Sequence, residues 1–111
     1  MLTHIVLYKL KDRSPENIAL ARARLESLSR GIETLRAIEV GADVIRSGRS
    51  YDLALITRFD DMAGYQVYQD HPVHLPVLAH MREASESVVA VDSESRPCAP
   101  GRTSAPPTKR T

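Results

Sequence analysis

Cysteine, aromatic residues and long apolar runs are all scarce in this chain, and each shortage excludes something. The single cysteine, Cys98, has no partner for an internal disulfide. Its place among the last residues also argues against a structural or metal-ligating role, so it reads as an exposed thiol. No apolar run approaches the ~20 residues that a membrane-crossing helix needs, and no membrane partner is expected. The opening MLTHIVLYKLK lacks the basic, apolar and small-residue segments of a secretory signal and reads as a strand, which points to a cytoplasmic protein. Basic residues form no stripe: residues 1–92 hold 11 Lys and Arg against 13 Asp and Glu, and residues 93–111 hold 4 against 1. The body is therefore weakly acidic and the end weakly basic. Neither is a phosphate-binding surface, and no nucleic-acid partner is expected.

What remains is the composition of one small globular domain, with 111 residues, 42% of them hydrophobic and 26% charged. The last stretch, SESRPCAPGRTSAPPTKRT over 93–111, holds four of the seven prolines and no large aliphatic side chain. It cannot bury enough surface to offset its ordering entropy, so a Pro/Ser-rich, basic, disordered tail is predicted there and a folded domain over 1–92.

The domain opens on alternation. His4, Val6, Tyr8 and Leu10 point one way and Ile5, Leu7, Lys9 and Lys11 the other, the period of a strand. Ser14 with Pro15 behind it is an N-cap and first-turn pair, Ile18, Ala21, Leu25, Leu28 and Ile32 then recur at helical spacing, and Gly31 is expected to end or kink the helix. A hairpin is predicted next, with a strand through Ile38, Val40 and Val44, a turn at Ser47–Ser50, and a strand through Tyr51, Leu53, Leu55 and Phe59. A second helix is read from Asp60 or Asp61 to Gln69. His71-Pro72 breaks it, and Pro72 opens a third helix through Leu75, Leu78 and Met81, with His80 facing solvent. Val88–Val91 closes the sheet, ending at Asp92. The order is that of an α+β, ferredoxin-like antiparallel sheet with helices on one face.

Such a sheet should be polar on its uncovered side, yet Ala54 and Ile56 alternate with Leu53 and Leu55, and Val89 and Val91 with Val88 and Ala90. Both faces are apolar. Covering even ~600 Å² of the second face is worth on the order of 15 kcal/mol before association costs. A two-fold homodimer with facing sheets, a dimeric α+β barrel, is the expected solution.

Chemistry concentrates in YQDHPVH, Tyr68–His74, where a phenol and two imidazoles flank a proline. Together with HIVLYKLKD, VGADV, SYDLALITRF and the closing VAVD, this string resembles the stress-responsive A/B barrel (Dabb) family over residues 3–92. The resemblance implies a dimeric barrel. It extends to the polyketide cyclases of the olivetolic acid type, lyases in which the tyrosine and second histidine of the same string act as a catalytic pair. Carried over, these are Tyr68 and His74, with His71 as the first histidine of the string and His4 as the histidine of the first strand. The first helix, which supplies pocket aromatics in those cyclases, has none here.

The chemistry so implied needs a base for a proton next to a carbonyl and a donor for the developing enolate oxygen. His74, in the first turn after Pro72, suits the base, and Tyr68, with an ordinary phenol pKa of about 10, suits the donor. His71 would orient either group or cap the helix, and His4 would bind a carbonyl or sit as a satisfied polar residue in the sheet. A small-molecule substrate or ligand is expected, with no cofactor and no metal. The alternative is a stress-response or small-ligand-binding protein without catalysis.

Overall fold

The alternation at the N-terminus becomes an inner strand of the sheet. In the computed structural model, which describes residues 1–94, 96, 98 and 99, the elements run β1 (Leu2–Leu10), α1 (Pro15–Glu26), a 3-10 turn at Ser27–Ser29, β2 (Leu35–Ala42), β3 (Leu53–Phe59), α2 (Met62–Gln69), α3 (His74–Ala84) and β4 (Ser85–Glu94). The sheet is antiparallel throughout in the order β2-β3-β1-β4, the ferredoxin-like α+β arrangement. Val6, Tyr8 and Leu10 of β1 and Leu53, Leu55 and Phe59 of β3 are buried with Ala21, Leu25, Leu28, Tyr68, Val77 and Met81 from the helical layer.

The start of α1 is where its sequence places it. The Ser14 hydroxyl accepts the Asn17 N–H at 3.3 Å, and Pro15 occupies the first turn. The regular helix stops at Glu26, sooner than the apolar stripe alone implies, because the 3-10 turn tightens the chain and Gly31 then adopts φ +85°. Leu28 and Ile32 still complete the buried stripe.

Four expectations need correction. Val44 and Tyr51 lie outside the strands, which stop at Ala42 and resume at Leu53; Val44 is 86% exposed. The long connection forms because Asp52 is fully buried at its end and gathers its polar groups. One Asp52 carboxylate oxygen accepts the Leu10 N–H at 2.8 Å, and the other accepts from Arg13 (2.8 Å) and Arg46 (2.9 Å). The Ser47–Ser50 turn does form, with Ser50 N–H on the Ser47 carbonyl at 3.1 Å. Second, α3 begins at His74 and not at Pro72, and its buried face is His74, Val77 and Met81 while Leu75 is exposed. Third, His80 is only half-buried and not fully exposed. The final strand also reaches past Asp92 to Glu94. The disordered tail read over 93–111 falls, beyond Glu94, almost wholly outside the described residues.

On the side of the sheet away from the helices, Leu7, Val89 and Val91 are 36%, 45% and 61% exposed, with Ile5, Ala54 and Ile56 half-buried between them. No helix among the described residues is long and apolar enough to cross a membrane.

Candidate functional site

Two strands and two helices line a slot of about 370 Å³, within the range of small-molecule sites. Its floor is His4, Val6 and Tyr8 of β1, paired in register with Asp92, Ala90 and Val88 of β4. Its wall is Tyr65 and Gln69 of α2 and His74, Leu78, Met81 and Arg82 of α3.

The turn between α2 and α3 sets the position of His74. The His71 carbonyl accepts the N–H groups of His74 (2.9 Å) and Leu75 (3.0 Å), and the His71 ring Nδ1 accepts the Val73 N–H at 3.1 Å. His71 therefore does the capping that the apolar N-cap residue Val73 cannot. With Nδ1 accepting, Nε2 carries the proton and faces Glu33 Oε1 at 3.4 Å. His71 thus stands outside the slot and fixes the helix that carries His74.

His74 is buried, and its Nδ1 lies 3.1 Å from the Gln69 carbonyl oxygen. A carbonyl can only accept, so Nδ1 holds the proton and Nε2 keeps its lone pair. Burial, the largest influence, pushes the His74 pKa below its ordinary value; the Gln69 carbonyl opposes this, and the charges at His4 and Arg82 reinforce it. The imidazole is therefore neutral at pH 7.

His4 shows the same design with a stronger partner. Its Nδ1 is hydrogen-bonded to the Asp92 carboxylate, which holds the ring from behind and leaves Nε2 as the free nitrogen. Asp92 is the residue that sequence reasoning missed as part of the site. The available signal was register: a strand ending in Asp92 and a strand starting near His4 must pair as sheet edges align, and they do as direct partners.

The two tyrosines of α2 separate. Tyr65 lines the slot, with its ring 5.0 Å from that of His4 and its hydroxyl accepting from Gln69 Nε2 at 2.5 Å. Tyr68 lies behind the lining, fully buried, with its ring 4.2 Å from that of His74 and 5.0 Å from Phe59. Its hydroxyl has no hydrogen-bond partner among the described residues. Burial raises its pKa, helped by Tyr8 and Tyr65, so the phenol stays protonated. Tyr8 is likewise pushed up to about 12 by burial. Four of the five aromatic residues thus gather at one site, a concentration invisible in a total. Of the four candidates, the structure brings together His4, His74 and the Tyr68 ring, and it sets His71 apart as their support.

Among the described residues, no group of three or more His, Cys, Asp or Glu side chains is placed to hold a metal ion.

The sequence pattern of the stress responsive A/B barrel domain (Dabb) matches residues 2–95. No curated protein matches the chain. Among solved structures, a dimeric protein of unknown function with a ferredoxin-like fold from Bacteroides fragilis is 32% identical, with 85% of this chain and 95% of that one covered and a TM-score of 0.71. A dimeric ferredoxin-like protein of unknown function from Thermobifida fusca is 30% identical, with 83% and 88% covered and a TM-score of 0.74. The hydroxynitrile lyase of Passiflora edulis shares the fold at 18% identity, with 89% and 96% covered and a TM-score of 0.74.

Proposed function

Because the chain belongs to the stress-responsive A/B barrel family, we propose that it is an acid–base catalyst of the lyase or aldol-cyclase type, acting on a small oxo compound in the His4–His74 slot. The observation that carries this reading is that both slot imidazoles have Nδ1 tied to a fixed acceptor, so each offers Nε2 in a set tautomer. A base must present a lone pair and not a proton, and at His74 the Gln69 backbone carbonyl guarantees it. His74 Nε2 takes the proton from the carbon next to a carbonyl. The C–H electron pair becomes the enolate, whose oxygen is held by a neutral hydroxyl, and the enolate then attacks a second carbonyl or recovers a proton. His4, braced by Asp92, flanks the guest carbonyl from the strand side of the slot.

The test needs no knowledge of the natural substrate: solvent deuterium should enter 2-heptanone next to its carbonyl, followed by NMR. No exchange above buffer, with a ketone nevertheless bound in the slot, would leave a binding protein and not an enzyme.

Tyr68 supplies a sharper check. Tyr68 backs the slot without lining it; its buried hydroxyl lacks an acceptor, at a cost of ~1–3 kcal/mol, which a guest oxygen reaching past the lining would relieve. Tyr68→Phe is therefore expected to leave thermal stability unchanged or raised by about 1 kcal/mol, while slowing exchange about 100-fold or more, as loss of one oxyanion donor does. A destabilised variant with normal exchange would make Tyr68 a packing residue and shift the donor role to Tyr65, whose Phe variant is the comparison.

The exposed apolar face of Leu7, Val89 and Val91, with similar structures described as dimeric, supports a two-fold homodimer. Light scattering should return twice the chain mass of 12.3 kDa; a mass equal to one chain at all concentrations would remove the dimer.

A further inference from the structure

The geometry points to an oxo acid lying lengthwise in the slot, its carbonyl between His4 and His74 and its carboxylate on Arg82. This rests on the acid–base reading of the histidine end and names the class of molecule that end would receive.

The slot has two different ends. His74, Leu78 and Arg82 are spaced four apart on α3 and all line it. They form one ridge on which the first and last Cα atoms are roughly 12 Å apart. The opposite wall runs the other way, because β4 follows α3 directly. Val88 thus lies toward the Arg82 end, and Asp92, roughly 13 Å further along the strand, lies at the histidine end beside His4. Between the ends the lining is Val6, Leu78, Met81 and Ala90. The sequence of environments is polar and proton-handling, then apolar, then cationic.

Arg82 is exposed and makes no hydrogen bond or ion pair among the described residues. The other cations near polar anchors are engaged: Arg13 and Arg46 on Asp52, Arg36 on Asp60, Arg22 on Glu26. Arg82 lines the slot, and among the described residues its fork of donors has no hydrogen-bond or ion-pair partner. A planar guanidinium matches a carboxylate with two parallel hydrogen bonds. The Asp92 carboxylate enforces the orientation, since an anion placed at the histidine end would meet it and one placed at Arg82 does not. A doubly charged phosphate would exceed what one guanidinium neutralises, which favours a carboxylate.

The probe is 7-oxooctanoate, a methyl ketone whose carboxylate is set off by a flexible apolar spacer. Its methyl ester serves as the neutral control and levulinate as the acid too short to reach both ends. Binding to the full chain is followed by NMR shifts of the His74 ring. The acid should bind roughly tenfold more tightly than the ester, the scale of one charge-assisted contact. The preference should vanish in Arg82→Met, return in part in Arg82→Lys, and be absent for levulinate. Equal affinity for acid and ester, an unchanged preference in Arg82→Met, or no binding of 7-oxooctanoate overturns the proposal. The two readings fail separately. Deuterium exchange into acid and ester alike, without an Arg82 preference, keeps the catalytic reading and removes the anion site; Arg82-dependent binding without exchange does the reverse.

Discussion

Asp52→Ala is expected to cost about 3 kcal/mol of folding stability, the low end of what removing one partner of a buried ion pair costs. For a domain of this size that is a fall in Tm of about 12 to 24 °C. The carboxylate is fully buried and holds three partners at once: the Leu10 N–H at the end of β1, Arg13 from the segment before α1, and Arg46 in the β2–β3 connection. Its loss strands the Leu10 amide and releases two guanidiniums whose other bonds, to the Ser47, Ser50 and Arg13 carbonyls, depend on the same geometry. The figure is not larger because Arg13 and Arg46 are 30% and 40% exposed and can turn to water. Burial alone would raise the Asp52 pKa, but the Leu10 amide and the two arginines outweigh it and hold the carboxyl below its ordinary value. The pH dependence follows in sign. The unfolded chain takes up the proton first, so the contribution is full above the ordinary carboxyl pKa and is lost as pH falls through the folded one. In Asp52→Ala the acid arm of the stability curve should flatten. A loss under about 1 kcal/mol, the worth of a surface pair, would show that the clasp is solvated.

That clasp also shows where the sequence is legible and where it is not. The strand alternation of β1, the Ser14–Pro15 start of α1 and the Ser47–Ser50 turn are local features, written in neighbouring residues. The uncovered apolar face follows from the same alternation. The bounds of the β2–β3 connection are different in kind. Asp52 ends it by bonding residues 39 and 42 positions away, and nothing in GRSYDLAL marks that reach. The site divides in the same way. His74 and Tyr68 are legible because one turn places them side by side. Asp92 is separated from His4 by 88 positions and becomes its partner only through strand pairing. His71 stands three residues from His74 yet faces Glu33, because its ring is spent on the start of α3. Arg82 was readable only as a helical charge until the backbone put it two turns along the ridge from His74.

His74→Asn should slow deuterium exchange by a factor of about 10² to 10⁴, the contribution of a positioned base. Asparagine is the informative choice because its amide nitrogen stands where Nδ1 does and can still donate to the Gln69 carbonyl, while nothing replaces the lone pair of Nε2. Alanine would confuse the two effects, since it leaves a void beside Tyr68 and a carbonyl without its donor. Two pH profiles then separate chemistry from folding. Burial, helped by the nearby His4 and Arg82, holds the His74 pKa below its ordinary 6.5. The wild-type rate should therefore be flat above pH 6.5 and fall only below it, as the base takes up a proton. Stability carries the same sign: with the folded pKa depressed, the unfolded chain protonates first, so stability present above 6.5 is lost as pH falls through the folded value. His74→Asn should lack both limbs, with a Tm near that of the wild type at neutral pH. A rate that already declines between pH 8 and 7, or an asparagine variant that exchanges at the wild-type rate, would take the base away from His74. The second slot imidazole, His4 on Asp92, would then be the one group in the cavity with the geometry to replace it.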